Sequence, residues 1–127
     1  MIPISFVQYQ NHLEINGRGF DLGWPINYAI ALQDRVIVTV EHYDLPKTDP
    51  QFGRNVFALD RNGRELWRIE ASPAIFMDDQ GRKCPFPYIY LQRSPDGRGL
   101  WIDNQSGIRC DLDPATGALS NPRRFEK

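Results

Sequence analysis

The chain has 127 residues, 41% of them hydrophobic, with 15 Lys+Arg against 16 Asp+Glu and a formal net charge of −1. A chain of this length suits one domain, residues 1–127, that buries a core without disulfide or metal staples. The even charge excludes a protein built to coat nucleic acid or an anionic membrane, since both favour a basic excess. Apolar runs stay far short of the roughly 20 residues that span a bilayer. The start, Met1-Ile2-Pro3-Ile4-Ser5-Phe6, lacks the basic and then apolar pattern of a secretory signal. Cys84 and Cys110 are too few for a disulfide framework and have no CxxC spacing, so a reducing, cytoplasmic setting is expected.

Short β-rich runs recur between turn signals, and no stretch holds helical periodicity. Within residues 1–27 a short N-terminal β segment is expected around 6–9 and 13–15. Residues 35–42, RVIVTVEH, form the clearest strand, with Val36, Val38 and Val40 on one face and Arg35, Ile37, Thr39 and Glu41 on the other. Strands at 55–60 and 64–70 are joined by Arg61-Asn62-Gly63, because Asn-Gly tolerates the positive φ of a tight hairpin. Strands at 88–92 and 100–103 flank Ser94-Pro95-Asp96-Gly97. The strand at 108–113 runs into the turn Asp113-Pro114-Ala115-Thr116-Gly117.

These runs repeat. Residues 28–33 (YAIALQ) parallel 88–92 (YIYLQ), residues 36–40 parallel 100–102, and residues 56–60 (VFALD) parallel 109–113 (RCDLD). The first pair is followed in each copy by a turn containing aspartate, Asp34 or Asp96, and the third by a Gly-ended turn at Gly63 or Gly117. The predicted fold is therefore all-β: two four-stranded antiparallel meanders, residues 28–70 and 88–127, forming a blade-like internal repeat. Each meander has an apolar face to bury, and packing one on the other gives a sandwich or partial barrel. Trp67, Ile69, Val36, Val38, Val40, Leu100, Ile102, Ile108, Cys110 and Leu112 are the expected core.

The segment NVFALDRNGRELWRIE, residues 55–70, resembles the strand–turn–strand signature of quinoprotein-type (PQQ-like) β-propeller blades. IRCDLDPATGALS, residues 108–120, resembles the same element with a longer turn, and SPDGRGLW, residues 94–101, is similar to the turn between the first two strands of such blades. The resemblance covers about half the chain and implies blade-like sheets. Asn121 stands where the docking Trp67 sits in the first copy, so that packing device is not repeated. Propellers close with about 4–8 blades, whereas this chain carries two and a fragment. Quinoprotein catalysis resides at the centre of a complete ring, so the resemblance implies no cofactor here.

Residues able to carry chemistry are sparse. His12 and His42 are the only histidines, and zinc sites need three or four clustered ligands. Cys110 lies between inward residues and reads as a small hydrophobe. Cys84 follows Arg82-Lys83, which favour a thiolate, but a catalytic cysteine needs an oriented histidine base and none is local. Asp111 and Asp113 share one strand face, yet an aspartate before a Gly turn is first a turn former. Asp78-Asp79-Gln80-Gly81 reads as a hairpin tip rather than a calcium site. No GxGxxG, Walker, GxSxG or HExxH pattern occurs.

The positive candidates are two long excursions, residues 43–54 (YDLPKTDPQFGR) and 76–88 (FMDDQGRKCPFPY), rich in Pro, Asp, Arg and aromatics. Long loops in a small domain are often functional, and Tyr, Phe and Arg anchor interfaces. Tyr43, Phe52, Arg54, Asp78, Asp79, Arg82 and Phe86 are the expected binding residues. The expected role is a non-catalytic protein-binding module, similar in general character to small bacterial immunity-type proteins, with another protein as its partner. The alternatives are a self-assembling protein that closes blades between subunits and a small enzyme of unidentified chemistry.

Overall fold

Strand residues 36–40 are apolar on both sides of the pleat apart from Thr39, which requires a sheet covered on both faces. The computed structural model, which describes residues 1–42 and 45–125, has that arrangement. An N-terminal sheet holds β1 (Ile4–Phe6), β2 (His12–Ile15) and β3 (Arg18–Asp21). The first meander is β4 (Ile26–Ala31), β5 (Arg35–Val40), β6 (Val56–Asp60) and β7 (Glu65–Arg68). A hairpin of β8 (Ile75–Met77) and β9 (Lys83–Pro85) leads to the second meander, β10 (Tyr88–Arg93), β11 (Leu100–Asn104), β12 (Ile108–Leu112) and β13 (Leu119–Arg124). Every pairing is antiparallel between chain neighbours, and among the described residues there is no helix and no closed barrel.

The first meander is the middle layer. One face places Ile37, Val56, Ala58 and Ile69 against Tyr88, Leu91, Leu100, Ile102 and Leu112 of the second meander. So the two repeats do pack face to face. Val36, Val38 and Val40 point the other way, however, against Leu13 and Ile15 of the N-terminal sheet. The expectation that these valines face the twin is corrected: the N-terminal segment is a full three-stranded sheet, and it needs an apolar partner too. Its extra strand β3 follows from Asn16 and Gly17, whose φ values of 52° and 77° make a tight hairpin turn. Ile108 is only half-buried.

The outer face of the last sheet carries polar and aromatic side chains. Arg109 makes a two-pronged bond to Asp103 at 2.7 and 3.0 Å and lies between Trp101 and Phe125, 4.3 and 4.9 Å from their rings. Arg123 reaches Asp111 at 3.1 Å and lies 5.2 Å from the Trp101 ring centre. Guanidinium–aromatic stacking covers this face without a further sheet. No helix among the described residues is long and apolar enough to cross a membrane.

Candidate functional site

Both excursions leave the sheets at one end. After Val40 the chain continues through Glu41 and His42, and residues 45–54 fold as successive turns. Leu45 N–H donates to the His42 carbonyl at 3.1 Å, Asp49 to Pro46 at 2.9 Å, Phe52 to Asp49 at 3.0 Å and Arg54 to Gln51 at 2.9 Å. Asn55 then ties three strand ends together: its side chain donates to the carbonyls of Val40 (2.9 Å) and Tyr88 (2.7 Å) and accepts from the Tyr88 N–H (3.0 Å). The second excursion is the β8–β9 hairpin. Asp78 Oδ1 accepts from the N–H groups of Gln80 and Arg82 at 2.9 and 2.8 Å, just as Asp60 accepts from Asn62 and Arg64 at 2.8 and 2.9 Å. Gly81 and Gly63 close these two turns with φ of 76° and 77°.

Between the excursions lies a cavity of about 520 Å³, within the range of ligand pockets. Leu45, Phe52, Phe76, Pro87, Tyr88 and Ile89 give it apolar walls, and Glu41, His42, Lys47 and Gln105 are its polar lining. His42 is only 4% exposed, with its ring 4.9 Å from Trp24 and 6.5 Å from Phe52. Neither ring nitrogen has a hydrogen-bond partner; the only other buried side chain in that condition among the described residues is Thr39. Burial, then the Arg68 guanidinium, push the His42 pKa down to about 4 against a smaller opposing pull from Asp49, so the imidazole is neutral. Tyr88 donates its hydroxyl to the Glu70 carbonyl at 3.1 Å, and burial raises its pKa, so it is a neutral phenol. The Lys47 ammonium lies 5.6 Å from the Phe76 ring.

This arrangement can grip a group and hydrogen-bond it. Cys84 is buried, its Sγ 3.7 Å from the Arg82 carbonyl, and the other thiol, Cys110, is pushed up in pKa by burial. No group of three His, Cys, Asp or Glu side chains able to hold a metal stands together among the described residues. Two other hollows are relevant. One of about 320 Å³ shares Glu41, Ile89 and Gln105 with the cavity and extends it to Tyr9, Tyr28 and Tyr90. Another, more open, of about 570 Å³ on the outer face of the last sheet, is bordered by groups already paired with each other, Ser94 with Asp96 at 2.6 Å and Arg123 with Asp111.

The structure separates the residues the sequence grouped. Phe52 lines the cavity, and Phe86 stands 5.1 Å from Phe76, supporting that wall. Arg54 turns away, donating to the carbonyls of Ile69 at 2.9 Å and Arg68 at 3.4 Å. Asp78 and Arg82 pair with each other at 2.7 Å inside the hairpin, and the Arg82 N–H is the main cause holding the Asp78 carboxyl below its usual range. Asp79 is exposed at the hairpin tip, and Tyr43 lies outside the described residues. His42, Lys47, Phe76 and Tyr88 also line the site; Lys47, Phe76 and Tyr88 fall within the two excursions without having been singled out, and His42 was set aside for want of clustered ligands. The signal for His42 was its place at the last step before a Pro-rich excursion, where a strand hands its side chains to a loop.

Compared with known families, residues 1–124 match the model of a domain of unknown function, DUF7957. No curated protein matches this chain.

Proposed function

We propose, from the premise that this chain belongs to the DUF7957 family, a domain of unknown function, that it is a non-catalytic protein-binding module of immunity or inhibitor type acting in the cytoplasm. The observation that carries this reading is the meeting of both excursions on one apolar cavity. Interfaces draw most of their binding energy from a few aromatic anchors seated in such pockets. Pro46, Pro50, Pro85 and Pro87 stiffen the two walls, which lowers the ordering cost of binding. Ile75 and Met77 on the hairpin are 48% and 58% exposed, apolar surface that a docking partner would cover.

The test is co-expression with the products of the adjacent reading frames, followed by titration calorimetry. A stable complex is expected, weakened at least about tenfold by Phe52→Ala and by Phe76→Ala. Arg82→Ala, which loses only an ion pair within the hairpin, is expected to bind as the parent does. Folded Phe52→Ala and Phe76→Ala variants with unchanged affinity would remove the cavity from the interface.

A further inference from the structure

We infer that the cavity receives an aromatic side chain ending in a hydroxyl, a tyrosine of the bound partner, whose O–H pairs with the ring of His42. This rests on the protein-binding reading and names the chemistry of its anchor.

The walls set the shape. Leu45, Phe52, Phe76 and Tyr88 suit a flat apolar ring, and the cavity of about 520 Å³ is large enough to bury one. His42 sets the polarity. It is the lining side chain that is both buried and without a partner at either nitrogen. A neutral imidazole presents one donor and one acceptor, and leaving them dry and unpaired is unfavourable. A hydroxyl is also both donor and acceptor, so it serves either tautomer. A carboxylate only accepts, so it serves His42 only where the nitrogen it meets carries the proton.

Both His42 nitrogens are closed off from solvent, so the anchor must displace something. The 45–54 segment is suited to that. Its backbone bonds are local turns, each closing on a residue three positions back. Phe52 is the segment's aromatic neighbour of the imidazole, its ring 6.5 Å away.

The probes are p-cresol, which is the tyrosine side chain, and toluene, which is that of phenylalanine. Each is titrated into the isotope-labelled full-length chain, with the His42 ring nitrogens followed by NMR. Saturable p-cresol binding that moves those resonances, at least about tenfold tighter than toluene, is expected, because a site built to pair a hydroxyl rejects the analogue without one. In His42→Phe the two probes should bind alike. Equal binding of both probes to the parent, unmoved His42 nitrogens, or no p-cresol binding would each overturn the inference. If His42→Phe fails to fold, the parent resonances decide alone. A partner complex that still depends on Phe52 and Phe76 while p-cresol leaves His42 silent would sink the tyrosine anchor and leave the binding module standing.

Discussion

Replacing His42 by Phe should flatten the acid limb of the stability curve. The folded chain holds His42 near a pKa of about 4, against 6.5 for a free imidazole. Between those values the unfolded chain binds a proton that the native chain refuses, so native stability falls as pH drops through 6.5 and stops falling through this group near 4. A shift of that size corresponds to about 3 kcal/mol. His42→Phe keeps a flat ring between Trp24 and Phe52 and removes the titrating group together with two unpaired nitrogens, so near neutral pH the variant should gain about 1 kcal/mol. Urea unfolding at steps from neutral to acid pH gives both curves. Carboxylates held below their usual range, such as Asp78 and Asp96, weaken parent and variant alike, so the difference between the curves isolates the imidazole. Parallel curves would refute the argument, because His42 would then have found water or a partner in the native state.

Asn55→Ala removes three hydrogen bonds at a buried position, those to the Val40 carbonyl and to the backbone carbonyl and N–H of Tyr88. It should cost about 3 kcal/mol by urea unfolding, and a loss under about 1 kcal/mol would show that water replaces the clamp. Gly117→Ala places a Cβ 2.5 Å from the Trp67 ring at a φ of 80°. It should cost about 3 kcal/mol in the parent but about 1 kcal/mol, the backbone share, in a Trp67→Ala background. Equal costs in the two backgrounds would mean that the ring and the turn do not press on each other.

Much of the architecture was legible because turn chemistry and alternation are local. Asn62-Gly63 and the Asp-initiated turns ended strands where the sequence placed them, and the repeat aligned β4, β5 and β6 with β10, β11 and β12. What alternation along one strand does not reveal is which neighbour covers which face. Both faces of β5 were apolar, and that signal implied a third layer that the short strands of residues 4–21 were too slight to announce. What a charged side chain pairs with is likewise not written along one strand. Arg54, Asp78 and Arg82 look like binding groups in a sequence, but Arg54 donates to nearby backbone carbonyls, and Asp78 and Arg82 pair with each other. Phe52 was legible, since a lone Phe in a polar excursion has little reason to be there except to cover something apolar.

The location of the site follows from counting strands. In an antiparallel meander the first-to-second and third-to-fourth connections lie at one end, and the second-to-third connection lies at the other, with the chain's exit to the next sheet. The long excursion between β5 and β6 and the long passage from β7 to β10 therefore emerge at the same end. The short turns after β4, β6 and β12 lie at the opposite end, where the strands are fastened to one another: Trp67 Nε1 donates to the Pro114 carbonyl at 2.8 Å, Arg35 donates to the same carbonyl at 3.2 Å, and Arg61 donates to that of Gln33 at 3.0 Å. One end is thus fastened by short turns, and the other carries side chains whose polar and apolar surfaces are not used up by the fold. This division of labour means that loosening the turn end, as Gly117→Ala does, should lower stability while leaving partner affinity within about twofold. A loss of affinity in step with stability would show that the cavity's shape depends on the far end of the same strands.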